Sequence, residues 1–234
     1  MKNECCYLNS MKNSYVQLSI TIFNYKDRKR ILLVSGIKNR YLLRNVKTVV
    51  FYRYVEADFS SVTAKKIRQM LRPGSPNFVS MFSEEPKEVE HSDLHAGDYH
   101  LVGADLRQLN EFKEKLGSCE LNYKLPTLFI AECVLVYVET SQSDALLSAA
   151  SNGLRILFFL NYEQVNIGDT FGKIMCRGII LPGLAACENL DAQKRRFIGS
   201  GWKNVIILLS QLLEHYCFVI ASKNARAFDF EWKK

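Results

Sequence analysis

The stretch PTLFIAECVLV, residues 126–136, decides the fold class. It is a continuous apolar run rather than an alternation of apolar and polar residues, which is typical of a strand buried on both faces of a sheet. Comparable runs occur at residues 47–55, 154–161 and 216–222, and shorter ones at 31–34, 77–82 and 100–102. Segments with helical periodicity lie between them, at residues 60–71, 106–116, 141–150 and 187–198. The alternation predicts an α/β fold with a doubly wound, mainly parallel sheet.

Composition excludes several classes of protein. Of the 234 residues, 48% are hydrophobic and 24% are charged, which excludes a disordered or collagen-like chain. No apolar run approaches the roughly 18 residues that cross a membrane, and the N-terminus lacks the apolar core of a signal peptide. The seven cysteines form no CxxC pair, which favours reduced thiols over a zinc or redox motif. We therefore expect a cytoplasmic protein with no membrane partner.

The net charge is concentrated at the start of the chain. Residues 1–50 contain ten Lys or Arg and two Asp or Glu, whereas the remaining residues contain 21 and 22. A basic segment suits nucleic acid, an acidic partner or plain solvation. The basic run at residues 26–30 is too short and too isolated to indicate RNA binding, so we expect no nucleic-acid partner. We divide the chain into a basic segment, residues 1–46, with a degenerate first strand and turn, and a main domain, residues 47–234.

The stretch at residues 86–98 is rich in acidic residues and histidines. It contains His91, Asp93, His95 and Asp98, and His100 follows directly. Their spacing matches no defined set of metal ligands. We interpret the stretch as a polar surface loop and expect no metal site.

Four positions follow apolar runs, where an open parallel sheet binds its ligands. They are Gly36, Asp58, the pair Asp105 and Leu106, and Glu132. An acid about 20 residues beyond a glycine-containing first turn suits ribose hydroxyls, although an Asp after a strand is also a common helix cap. Glu132, a charge in an apolar run, needs either a basic partner or a cationic ligand. Together the four positions indicate a nucleoside-type cofactor.

Longer motifs resemble a known family. The stretches YHLVGADLRQLNEF, LPTLFIAECVLVYVET and FLNYEQVNIGDTF, within residues 99–171, are similar to leucine carboxyl methyltransferase. The resemblance covers roughly residues 50–202. It implies a class I S-adenosylmethionine-dependent methyltransferase fold. It also implies methylation of the C-terminal leucine carboxylate of the protein phosphatase 2A catalytic subunit, by a monomer that binds this subunit's C-terminal tail.

The resemblance also implies roles for individual residues. Gly36 would belong to the cofactor turn, and Asp58 would bind the ribose. Asp105 and Leu106 would contact the adenine, and Glu132 would face the cofactor. On the substrate side the family motifs contain three further residues of this chain, Tyr137, Asn161 and Tyr162. A carboxylate is already ionised at neutral pH, so the reaction needs positioning rather than a general base, and we assign no catalytic residue.

The chain also departs from the family. Where the family has Gly-x-Gly, this sequence reads Val34-Ser35-Gly36, and a segment of about thirty residues is absent after Trp202. A catalytically silent binding protein or a truncated isoform therefore stays open as an alternative. An NAD-dependent oxidoreductase is a further alternative, against which the lack of a GxGxxG motif counts.

Overall fold

The structure is a computed structural model that describes residues 20–25, 51–73, 79–122, 124–125, 127–153, 157–209 and 214–223. The strands are β1 (Ile20–Tyr25), β2 (Phe51–Asp58), β3 (Lys87–Val89), β4 (Asp93–Ala96), β5 (Tyr99–Gly103), β6 (Thr127–Glu132), β7 (Leu157–Gln164), β8 (Asn204–Leu209) and β9 (Tyr216–Lys223). The α-helices are α1 (Ser60–Met70), α2 (Leu109–Gly117), α3 (Thr140–Gly153), α4 (Thr170–Met175) and α5 (Leu190–Gly199). Short 3₁₀ turns lie at Val79–Met81, Leu135–Tyr137 and Leu184–Cys187.

The nine strands form one mixed sheet in the order β3-β4-β5-β2-β1-β6-β7-β9-β8. The ladders β2–β5 and β6–β7 are parallel, and the remaining ladders are antiparallel. Following these orientations across the sheet, six strands run in one direction, and β1, β4 and β9 run against them. The α/β class is confirmed, with helices against both faces of the sheet.

The strands contribute side chains to two hydrophobic cores, one on each face of the sheet, because successive side chains of a strand point to opposite faces. On one face Val55, Val102 and Phe159 pack with residues of α2, α3 and α5. On the other face Tyr54, Leu101 and Phe158 lie in the cluster that includes Ile67 of α1. Both faces of the central strands are thus buried, which explains why their sequences read as continuous apolar runs.

The central strand β1 is antiparallel to both neighbours. Ile20 pairs with Ala57 of β2 and with Ala131 of β6. The chain therefore enters β1 at the edge where β2 and β6 end. This strand lies inside the segment that the sequence analysis separates as residues 1–46. The predicted first strand at residues 31–34 and the turn Val34-Ser35-Gly36 lie outside the described residues.

Two local predictions are wrong. The short strand predicted at residues 77–82 contains, in its described part, the 3₁₀ turn Val79–Met81. The predicted surface loop at residues 86–98 contains the antiparallel hairpin of β3 and β4, which also pairs with β5. Asp93, Leu94 and Ala96 of this hairpin are buried. Its strands are only three and four residues long and carry polar residues, so neither apolar run length nor alternation indicated them.

Candidate cofactor and substrate site

Strands β2, β5, β6 and β7 run in the same direction and end at the same edge of the sheet. Asp58 ends β2, Gly103 ends β5 and Glu132 ends β6, and Asp58 and Gly103 are direct partners in their ladder. Glu132 is likewise paired with Tyr162 of β7. The carboxyl ends of parallel strands are where open α/β sheets bind their ligands. The structure thus brings the predicted residues of three separate stretches to the same edge.

Asp58 is held in a defined position. Its side chain is 3% exposed, and Oδ1 accepts a hydrogen bond from the backbone N–H of Phe59 over 2.7 Å. Its backbone oxygen accepts another from the N–H of Ala104 over 2.8 Å. The residue therefore joins the start of α1 to the turn that follows β5. A buried, hydrogen-bonded carboxylate of this kind is suited to accept further bonds from ligand hydroxyls.

Asp105 is bound by the neighbouring guanidinium of Arg107. Nε lies 2.9 Å from Oδ1 and Nη2 lies 2.7 Å from Oδ2, which is a bidentate arrangement. This hydrogen bonding lowers the pKa of Asp105 below its ordinary value. Arg107 in turn lies over the ring of Phe59, with 5.4 Å between Cζ and the ring centroid. Through these contacts the turns after β2 and β5 support each other.

Leu106 lies inside the core rather than on the open edge. Its side chain is buried in the cluster that includes Val102 and Phe112. The predicted pair at residues 105 and 106 is therefore split in the structure, with the carboxylate partly accessible and the leucine packed beneath it.

The chain turns sharply after Glu132. Cys133 has a positive φ of 51°, and its N–H donates to the carbonyl oxygen of Tyr162 over 2.8 Å. The predicted strand at residues 126–136 consequently ends at Glu132, whose side chain is exposed, and continues as the 3₁₀ turn Leu135–Tyr137. Tyr137 is partly buried, and this burial raises the pKa of its phenol.

Asn161 and Tyr162 point to opposite faces of β7. Tyr162 stacks on Tyr216 at 5.1 Å between ring centroids and contacts Phe218. Asn161 is completely buried, and neither Nδ2 nor Oδ1 has a hydrogen-bond partner among the described residues. An unpaired buried amide is unfavourable by itself, so Asn161 is the residue here that most calls for an external partner.

The sequence analysis missed Glu163. This carboxylate is completely buried, and it accepts hydrogen bonds from the backbone N–H groups of Val136 and Gln164, each over 3.1 Å. Burial raises its pKa to about 7. The signal that could have found it is the period of two along β7, which places Glu163 on the same face as the buried Phe159.

Comparison with known protein families gives a match for this chain. Residues 28–151 match the family described as leucine carboxyl methyltransferase. The match includes Asp58, Asp105, Leu106, Glu132 and Tyr137, and it begins inside the basic segment at residues 1–46.

Full-length relatives give the same result. Leucine carboxyl methyltransferase 1 of Caenorhabditis elegans is 42% identical over 206 residues, which cover 72% of this chain and 62% of that protein. The Bos taurus protein of that name is 32% identical, covering 82% of this chain and 68% of its own length. Human tRNA wybutosine-synthesizing protein 4 is 31% identical over 75% of this chain but only 26% of its own length. The chain thus spans about 62% of the nematode relative, and it belongs to the leucine carboxyl methyltransferase family.

Proposed function

We propose that this chain is an S-adenosylmethionine-dependent methyltransferase that methylates the C-terminal leucine carboxylate of the protein phosphatase 2A catalytic subunit. Membership of the family supports the reaction class. The observation that carries the proposal is that Asp58 and Glu132 end β2 and β6, and Asp105 follows β5, so all three lie along the carboxyl edge of these strands. Three carboxyl groups from three strands form an acceptor-rich edge.

This set of residues fits the proposed cofactor. S-adenosylmethionine offers ribose hydroxyls, an ammonium group and a sulfonium, which are hydrogen-bond donors or cations that carboxylates attract. Asp58 would accept from the ribose hydroxyls, and Asp105 would lie on the adenine side, with the buried Leu106 supporting that turn from beneath. Glu132, exposed at the end of β6, would bind the cationic end. Gly36 is proposed for the cofactor turn on the family resemblance alone, since it lies outside the described residues.

The substrate side would lie against Tyr137, Asn161 and Tyr162. Tyr137 and the buried amide of Asn161 would contact the leucine tail directly. Tyr162 would act through its carbonyl oxygen, which holds Cys133 in the turn that leads to Tyr137. Its ring packs on the opposite face against Tyr216.

Catalysis would consist of positioning and exclusion of water. The cofactor, when bound, supplies a methyl group on a sulfonium. A leucine carboxylate is ionised at neutral pH, with a reference pKa near 3.5, so no residue has to remove a proton. The tasks left to this chain are to orient the carboxylate oxygen and to keep water from it, and the buried residues beneath the edge suit both.

The setting proposed is a monomer in the cytoplasm. Cys119, Cys133, Cys176, Cys187 and Cys217 are all free thiols, which suits a reducing compartment. Among the described residues, no helix has the length and apolar character needed to cross a membrane.

Two measurements on the full chain test the proposal. Calorimetric titration with S-adenosylmethionine should show binding that Asp58→Asn weakens by about tenfold or more, as expected for loss of a charged hydrogen bond. The matched control is Asp191→Asn, at an exposed acid on α5, which should bind as the parent does. Transfer of labelled methyl to the phosphatase catalytic subunit should then give a base-labile ester. The same subunit without its final leucine should accept none.

The outcomes separate the alternatives. Cofactor binding without transfer to the leucine-ending subunit would identify a methyltransferase-like binding protein. If a folded chain binds no cofactor, or if Asp58→Asn binds it as the parent does, the proposed edge is not the cofactor site.

A further inference from the structure

A second cluster, formed by β4, β5 and the segment after α2, brings together three side chains of types that can bind metal ions. His95 of β4 and His100 of β5 are direct partners in an antiparallel ladder, so both side chains project from the same face of the sheet. Their Nδ1 atoms are 2.7 Å apart. Cys119, two residues beyond α2, is buried against the same face.

The donor atoms of the three residues converge. One ring nitrogen of each histidine and Sγ of Cys119 all lie within 4.8 Å of one another. A tetrahedral zinc ion, with bonds of about 2.0–2.1 Å to nitrogen and about 2.3 Å to sulfur, holds such donors roughly 3.3–3.6 Å apart. Side-chain shifts of about 1 Å would therefore seat an ion between them. The spacing in sequence could not indicate this set, because the ligands come from three different elements.

The chemical state of the histidines suits ligation. Burial lowers the pKa of His95 below its ordinary value and lowers the pKa of His100 to about 4, which favours the neutral imidazole that binds metal ions. Nε2 of His100 is buried and has no hydrogen-bond partner among the described residues. Such a group is costly to bury, and coordination of a metal ion through Nε2 would give this nitrogen the partner that it lacks.

The charges around the cluster are balanced. Lys115, which faces His95, is ion-paired with Asp93 over 2.9 Å and with Glu90 over 3.2 Å. Arg53, which faces His100, is ion-paired with Glu120 over 2.6 Å. Arg53 and Lys115 thus each have a carboxylate beside them that offsets their positive charge toward a divalent ion. His95 is only half buried, so solvent can reach a fourth ligand position.

We propose that His95, His100 and Cys119 form a zinc-type metal site with water as its fourth ligand. Two imidazoles and one thiolate are a donor set that zinc prefers, and closure of the site would release the thiol proton of Cys119 to solvent. The ion would cross-link the hairpin of β4 and β5 to the segment that follows α2. This site is independent of the methyl-transfer proposal.

Cobalt(II) titration of the purified full chain tests the site. All variants are made in a Cys5→Ser, Cys6→Ser background, because these two thiols lie outside the described residues and could bind metal themselves. One equivalent of Co²⁺ should give the absorption of a tetrahedral, thiolate-bound ion, and Zn²⁺ should displace it. Cys119→Ser and His95→Gln should each abolish the thiolate band or weaken Zn²⁺ affinity by at least about tenfold.

Matched controls distinguish the site from general thiol or histidine effects. Cys187→Ser changes an equally buried thiol, and His91→Gln changes an exposed histidine in the turn between β3 and β4, so both should keep the parent signal. Zn²⁺ should also raise the melting temperature of the parent but not that of Cys119→Ser. Absence of a one-to-one tetrahedral signal from the parent, or its persistence in Cys119→Ser, would overturn the proposal.

Discussion

The carboxylate of Glu163 accepts a hydrogen bond from the backbone N–H of Val136, with 3.1 Å between nitrogen and oxygen. This bond ties the 3₁₀ turn Leu135–Tyr137 to the end of β7. The turn carries Tyr137, which the proposed function places on the substrate side. A completely buried carboxylate therefore holds in place the turn that carries Tyr137, a candidate substrate-binding residue.

Glu163 should make stability depend on pH. Burial raises its pKa to about 7, from about 4.5 in an exposed carboxyl. Between these values the folded protein holds a proton that the unfolded chain releases, so the free energy of unfolding falls as pH rises. Relative to Glu163→Gln, the parent should lose on the order of 3 kcal/mol between pH 4.5 and 7.5. Urea unfolding of both proteins at several pH values measures this difference.

The control for that experiment is Glu114→Gln, at an exposed acid on α2. It should show the same pH profile as the parent. A difference between parent and Glu163→Gln that stays constant with pH would mean that the buried carboxyl does not hold the proton.

Gly103→Ala should destabilise the protein. A Cβ at this position would lie 2.8 Å from Cα of Ser60 and 2.9 Å from Oγ1 of Thr63, which is too close for unstrained packing. We expect a loss of about 1–3 kcal/mol, measured by chemical unfolding. Gly117→Ala is the matched control, since a Cβ there meets nothing within 4 Å and the residue ends α2. Equal stability of the two variants would contradict the close approach of α1 to β5.

Asn161→Val should separate stability from activity. Removing an unpaired buried amide should raise the free energy of unfolding by about 1–3 kcal/mol. If the amide contacts the leucine tail, methyl transfer should fall by at least about tenfold, with cofactor affinity unchanged. Denaturant unfolding and transfer assays with labelled cofactor measure the two effects. Asn204→Val, at the exposed start of β8, is the control, and unaltered transfer by Asn161→Val would remove Asn161 from the substrate side.

Asn189→Ala should weaken α5. Oδ1 of Asn189 caps this helix by accepting from the N–H of Ala192 over 2.8 Å. Loss of such a cap costs about 1 kcal/mol, whereas Asn189→Asp keeps the acceptor and should keep the stability. Thermal unfolding of the two variants gives the comparison. A melting temperature of Asn189→Asp as low as that of Asn189→Ala would show that the side-chain acceptor does not stabilise the helix.

The helices and strands predicted most accurately are those that a pattern in their own sequence indicates. Helix α1 and strands β5 and β9 lie close to their predicted ranges because an apolar periodicity or an unbroken apolar run marks each. The predicted acids reach one edge because each is the last residue of a strand or follows it closely. The period of two along β7 would also have placed Asn161 and Tyr162 on opposite faces.

Other features depend on distant partners and could not be predicted locally. The strand at residues 126–136 ends early because Cys133 bonds to Tyr162, a residue of the neighbouring strand. The hairpin of β3 and β4 depends on partners far along the chain, through its ladder with β5 and through the ion pair between Asp93 and Lys115. Helix α4 was missed, although Asp169 caps it by accepting from the N–H of Gly172.

The position of β1 in the sheet determines the order in which its two ladders can form during folding. Among the described strands it alone joins the half of the sheet that ends in β2 to the half that begins with β6. Ile20 pairs with Ala57 and with Ala131, so the second ladder closes a loop of more than a hundred residues. Loop closure of this kind becomes less favourable as the loop lengthens. The ribosome releases this strand before any other described one, yet the strand must wait for its second partner until residues 127–132 have emerged.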